Sequence, residues 1–202
     1  VPALTTAAEQ RAEQRTAHRR AHPADGPEDR SLGERCVNFG VPRLGAGYNS
    51  YFQIFQTPGH VAVYREMAHD VKLIPLDGGP HVSGRVPQWN GDSRAHWEGD
   101  TLVVETQNYS EKTELRFMST PTTRAVERFT RVDADWIEYQ FTIEDDEIYT
   151  QPWTVERPMA RLDDYVIYEY ACHEGNYAMT NILAGERERE ELVAADDTSG
   201  IK

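Results

Sequence analysis

The chain has 202 residues, and 21 Lys+Arg against 34 Asp+Glu give a formal net charge of -13, which repels phosphate backbones and anionic headgroups and argues against nucleic-acid or membrane-surface binding. Hydrophobic residues make up 39% and aromatics 10%, enough apolar surface for one core. No run approaches the roughly 20 apolar residues of a spanning helix.

Residues 1–30 are rich in Ala, Glu, Gln and Arg, carry no apolar stripe and end in a Pro/Gly/Asp cluster. They are expected to form a polar leader, helical or frayed. The texture changes at Cys36, and from Tyr48 to Ala171 short β-branched and aromatic runs alternate with turn signals, the pattern of an antiparallel sheet. Expected strands are Tyr51–Gln56 and His60–Glu66 around Thr57-Pro58-Gly59, then Val71–Leu76, which stops at Asp77-Gly78-Gly79-Pro80. Ala95–Glu98 and Thr101–Thr106 flank Gly99-Asp100, and Thr123–Val132 and Trp136–Glu144 flank Asp133-Ala134-Asp135. Trp153–Arg161 and Tyr165–Cys172 complete the set. Few connections are long enough for a crossover helix, so the expected fold is all-β: an antiparallel lipocalin-like barrel of roughly eight to ten strands. Asn176 to about Glu191 is expected to be a helix that caps it. Residues 31–193 then form one domain, and 194–202 a frayed tail.

Period-2 alternation divides Trp136–Glu144 into Ile137, Tyr139, Phe141 and Ile143 on one face and Trp136, Glu138, Gln140 and Thr142 on the other. The apolar set belongs to the core and the polar set either to water or to a lumen. The same choice stays open for Glu105, Glu127, Arg157 and Glu169, because alternation does not say which side is outside.

Cys36 and Cys172 are the only cysteines, each beside turn-forming residues. They read as a disulfide in an exported protein, or as two buried thiols in a reducing compartment. The chain begins at Val1, which leaves room for a removed export signal, and the localisation expected is periplasmic or secreted.

Chemistry-bearing residues concentrate beside turns. In Glu66-Met67-Ala68-His69-Asp70 an imidazole lies next to carboxylates, as a general base requires, although His69 and Asp70 pair only if the segment is a turn. The stretch Trp89 to Thr101 holds Trp89, Asp92, Arg94, His96, Trp97, Glu98 and Asp100. Asp92 and Glu98 are acid/base candidates there, with backbone capping the alternative, while Trp89, Trp97 and Arg94 would bind substrate. Ser93 is not read as a nucleophile, since no helix follows Gly91-Asp92-Ser93 as a nucleophile elbow demands; Asp100 reads as hairpin chemistry. His173, in Cys172-His173-Glu174-Gly175, is expected on the same side of the barrel as His69. His69, His173 and Glu66 would together supply a two-His, one-carboxylate site for a divalent metal, without any short ligand motif to support it. Trp153, with its neighbouring tyrosines, offers flat surfaces for a sugar or aromatic ring, or ordinary core.

The motifs WNGDSRAHWEGDTLVVETQNY, QTPGHVAVYREMAHDVKLIPLDG and YEYACHEGNYAMTNILAGERE resemble segments of a large, uncharacterised family of exported soil-bacterial proteins. The resemblance covers Cys36 to Glu191 and implies export and common ancestry; it brings no activity. A Gly-Arg pair is usual there in place of Ala95-His96, which sets His96 aside as a shared catalytic residue. The leading expectation is thus a small exported enzyme, a lyase or hydrolase, acting on a polar substrate such as a carbohydrate or hydroxylated aromatic, with His69, His173, Asp70, Asp92 and Glu98 as its acid, base or ligand groups. The alternatives are a non-catalytic calyx for a small molecule and an envelope interaction module.

Overall fold

A computed structural model describes residues 2–40, 48–113 and 119–199. Helix α1 (Thr6–Ala21) is followed by β1 (Phe52–Gln56), β2 (His60–Arg65), β3 (Asp70–Pro75), β4 (Asp92–Glu98), β5 (Thr101–Gln107), β6 (Arg124–Arg131), β7 (Trp136–Glu144) and β8 (Trp153–Ala160), and helix α2 (Tyr177–Ser199) comes last. All strand pairs are antiparallel and join neighbours in sequence, β1-β2-β3 in one sheet and β4 to β8 in another.

Eight strands lie close to the boundaries that the alternation implies, but the expected closed barrel is not formed among the described residues. Strand β3 runs beside β4 without a ladder, and β1 and β8 each pair with one neighbour only. No tight hairpin joins β3 to β4: residues 76–91 between them run irregularly, with Pro80 and Pro87 lacking a backbone donor. Tyr165–Cys172, expected as a ninth strand, forms no regular element and pairs with no strand among the described residues.

Short side chains and turn residues set the hairpins. Thr57 N–H donates to His60 O (2.9 Å) at Pro58-Gly59, Gly99 takes φ +59° between β4 and β5, and Asp133 Oδ1 accepts from Asp135 and Trp136 N–H (2.7 and 2.8 Å) between β6 and β7. Asp145 organises the β7–β8 loop, accepting from the Thr120 and Thr123 hydroxyls and from Glu147 and Ile148 N–H. Between β2 and β3, Ala68 and His69 both adopt positive φ (62° and 38°), each at a cost of about 1–2 kcal/mol for a residue with a Cβ.

The inward faces of the two sheets share one core, with Val61, Val63 and Ile74 from the small sheet packed in the cluster that holds Leu102, Val104, Ala125, Phe129, Tyr139, Phe141 and Ile143 from the large one. The leader is helical and anchored. Thr5 Oγ1 accepts from Ala8 N–H (3.2 Å) as the N-cap, Thr5 N–H donates to Ile148 O (2.9 Å), and Ala8 is buried in the core cluster. Helix α2 extends past Glu191 to Ser199, residues 200–202 lying outside the described residues. Arg187 of this helix donates to Ala24 O and Asp25 O, and Asn176, just before it, donates to Glu34 O and Cys36 Sγ. It therefore docks on the leader side instead of capping the sheets.

Cys36 and Cys172 are bonded across 136 residues of chain. Unreduced, unfolded protein should therefore show no titratable thiol. Reduction should lower the unfolding free energy by about 5 kcal/mol by chain-entropy arithmetic; two reactive thiols before reduction would contradict the bond.

Candidate functional site

Alternation carries charge into the interior. In β2 the buried row is Val61, Val63 and Arg65, in β3 it is Lys72 and Ile74 with Asp70 half-buried, and in β6 it is Ala125, Glu127 and Phe129. Glu127 is 2% exposed. Its carboxylate accepts from Lys72 Nζ on one oxygen and from Tyr139 Oη (2.8 Å) on the other, with Arg65 Nη2 at 3.8 Å. Lys72 also donates to Thr106 Oγ1 (3.2 Å), which is bonded to Ser93 Oγ (2.8 Å). Arg65 Nη1 lies 3.7 Å from Asp70 Oδ2. Asp70 accepts from Asn90 (2.7 Å), and Asn90 in turn from Asn38 (2.7 Å).

Burial by itself would raise the Glu127 carboxyl, but Lys72 and Arg65, together with the hydrogen bonds from Lys72 and Tyr139, hold it below its ordinary value of 4.5. Burial pushes Tyr139 and Tyr109 up, so both phenols remain neutral hydrogen-bonding groups. Every charge in this cluster has a partner, which suits a structural brace between the sheets and leaves no free acid or base.

The sequence candidates are divided between two faces. Asp70 joins the interior cluster. Asp92 and Glu98 lie on the opposite face of β4, since Ser93 and Ala95, the residues between, are opposed to the buried Thr106 and Val104. Asp92 is covered by the preceding loop and accepts from His81 Nδ1 (2.8 Å), Val82 N–H (3.0 Å) and Arg94 Nη1 (3.1 Å). Arg94 donates further to Pro80 O and Ser93 O, so Asp92 and Arg94 hold the loop. Gly91 permits this entry to β4: its φ is +68°, and a Cβ would stand 2.6 Å from Thr106 Cγ2. Glu98 is exposed, and hydrogen bonds from Arg128 and His96 hold its carboxyl below the usual range, which does not suit a proton donor at neutral pH.

His69 and His173 are both exposed, and among the described residues they do not assemble with Glu66 into a ligand set. Glu66, 1% exposed, instead accepts from Tyr165 Oη (2.6 Å), which is pushed up to about 12 by that hydrogen bond. The one group of metal-type ligands among the described residues, Asp25, Glu186 and Glu190, already faces His22, Arg187 and Arg189. Trp89 and Trp97 are half-exposed and apart from any cavity described below. Trp153 packs against Phe141 and Tyr149 as part of the core wall.

A cavity of about 850 Å³ opens where β1 and β8 fail to meet. Its walls are Phe52 and Ile54 of β1, Trp136 and Ile137 of β7, Pro158 and Met159 of β8, and the segment carrying Leu162, Tyr165, Val166 and Ile167. Tyr51 stacks on Tyr165 at 3.7 Å between ring centres. Arg131, Arg157 and Arg161 reach the lining, and among the described residues Asp135 is its single carboxylate and no histidine lines it. None of His69, His173, Asp70, Asp92, Glu98, Trp89, Trp97, Trp153 and Arg94 lines this space; of the residues that the sequence left open, Tyr165, one of the tyrosines grouped with Trp153 as ring-binding surfaces, and Arg157, undecided between water and a lumen, do. His81, held by Asp92, is a feature that sequence spacing did not reveal, being eleven residues from its partner. Comparison with family models, curated proteins and solved structures finds no match.

The interior cluster generates a signed expectation. Glu127→Gln keeps the shape but leaves two buried cations short of a counter-charge, and should cost about 3–5 kcal/mol in urea unfolding at neutral pH. Because the folded-state value of Glu127 is depressed, its stabilisation is complete above 4.5 and is lost as pH falls through the lower folded value. The gap between parent and variant should therefore narrow in acid; a gap that stays constant would assign the loss to packing.

Proposed function

We propose that the chain is an exported, open lipocalin-like calyx that binds a small, largely apolar molecule in the cleft between β1 and β8. The observation that carries this reading is the cleft itself, whose volume of about 850 Å³ falls within the roughly 300–1,000 Å³ typical of small-molecule sites. Its walls are mostly aliphatic and aromatic, with polar groups from arginines and tyrosines and from Ser50, Gln53 and Asp135. It lacks the converging acid and base that a hydrolase or lyase acting there would need. Export is supported by the Cys36–Cys172 bond and by the resemblance to exported soil-bacterial proteins.

An acid–base enzyme, lyase or hydrolase, is the second reading, favoured by a single feature: His81, whose Nδ1 is oriented by Asp92, the arrangement that fixes an imidazole for proton transfer at its other nitrogen. It stands on the outer face of β4, away from the cleft.

The neutral probe N-phenyl-1-naphthylamine should bind the full chain saturably, one per molecule. Met159→Glu, which puts a charge on the cleft wall, should weaken binding by about tenfold or more, the scale of an unpaired charge against an apolar surface. Leu73→Glu, on the exposed face of β3, should leave it unchanged. Equal loss in both variants, or in neither, with an unaltered circular dichroism spectrum, rejects the cleft as the binding site.

A further inference from the structure

Resting on that ligand-binding reading, we infer that the ligand is an amphipathic carboxylate and that Arg157 is the residue that selects it. The ladder between β7 and β8 places this side chain. Ile137 opposes Met159, Tyr139 opposes Arg157, Phe141 opposes Val155 and Ile143 opposes Trp153, and directly opposed residues of an antiparallel pair share a face. Tyr139, Phe141 and Ile143 are buried core residues. Arg157 therefore belongs to the inward row of β8, between Val155 and Met159, where a guanidinium interrupts an otherwise apolar series.

On the other strands inward cations are answered: Arg65 and Lys72 face Glu127. Arg157 has no hydrogen bond or ion pair among the described residues, and it is exposed because its row opens into the cleft. The two other arginines of the lining are engaged. Arg131 donates to Asp133 O (2.9 Å) and Ala134 O (3.2 Å) at the β6–β7 turn, and Arg161 pairs with Asp163 at 2.7 Å. Asp135, the lining carboxylate, makes no ion pair with Arg157; its backbone carbonyl is taken by Arg161 N–H (2.7 Å).

A guanidinium presents a planar fork of donors that matches a carboxylate in two parallel hydrogen bonds. Against an apolar wall such a pair is stronger than in open water, because fewer solvent dipoles compete. The same wall supplies the second half of the specificity: Phe52, Ile54, Ile137 and Met159 would cover an aliphatic or aromatic body while Arg157 holds its charged end. A neutral molecule of equal shape gains only the wall.

The test pairs decanoate with 1-decanol as competitors of N-phenyl-1-naphthylamine on the full chain. In the parent, decanoate should displace the probe at concentrations about tenfold or more below 1-decanol, the order expected of a charge-assisted bidentate contact. Arg157→Gln should abolish that preference while still binding the neutral probe, Arg157→Lys, which keeps the charge and loses the fork, should fall between, and Leu73→Glu, outside the cleft, should keep the preference of the parent. Since Arg157 contacts no other polar group, thermal midpoints of the variants should match the parent, which separates lost recognition from lost folding. If the parent does not distinguish decanoate from 1-decanol, or if Arg157→Gln still does, the inference is wrong and the cleft stands as a neutral pocket. If the neutral probe fails to bind the parent at all, the cleft reading falls and this one with it.

Discussion

The carboxylate of Glu127 is the point through which the two sheets are made one body. Strands β3 and β4 exchange no ladder hydrogen bonds, so the small sheet depends on side chains for its attachment. Arg65 of β2 and Lys72 of β3 converge on an acid from β6 that Tyr139 of β7 also contacts, with Thr106 of β5 and Ser93 of β4 continuing the network. Each of these charges is costly to desolvate alone, and the cluster persists because all are brought together. An apolar core would tolerate several angles between the sheets. A carboxylate that must meet two cations and a phenol accepts far fewer.

That brace also decides where the molecule is open. Around the cluster and the adjoining aliphatic rows the inward face is filled. At the other margin of each sheet, β1 and β8 carry side chains inward with nothing opposite, and the irregular segment 161–167 crosses the gap instead of a strand. The cleft is thus the unclosed part of the same inward surface, which accounts for its mixture of core-like walls and isolated arginines.

Much of the strand plan could be read from turn residues and alternation, because both act locally: the bounds of β7 follow directly from its period-2 pattern, and Pro58-Gly59, Gly99 and Asp133 mark real hairpins. Non-local pairing was not legible. Val71-Lys72-Leu73-Ile74 invites an inward Val71 and Leu73, yet both are exposed and Lys72 is inside, an inversion understood only once Glu127, 55 residues away, is known to face it. Glu127 itself was undecided between faces for the same reason, whereas Glu138 is exposed on the outer side. Tyr165–Cys172 has the composition of a strand but no strand to pair with among the described residues. Asp70, expected as an acid or base, faces the interior cluster beside Arg65 and Asn90; His69 beside it was not brought inside, because the left-handed turn at Ala68 and His69 separates the two.

The segment that follows β8 is held at both ends and, between them, by Tyr165, whose hydroxyl donates to Glu66 and whose ring stacks on Tyr51. Arg161 N–H is bonded to Asp135 O at its start, and Cys172 is joined to Cys36 at its end. It runs over the cleft as a strap, and the aperture beneath it is bounded by how many residues lie between these attachments. Adding or removing a residue there would loosen or tighten the opening while leaving both sheets and their ionic brace untouched. Pore size in this fold is consequently a property of chain length, adjustable by insertion and deletion independently of the stability of the scaffold.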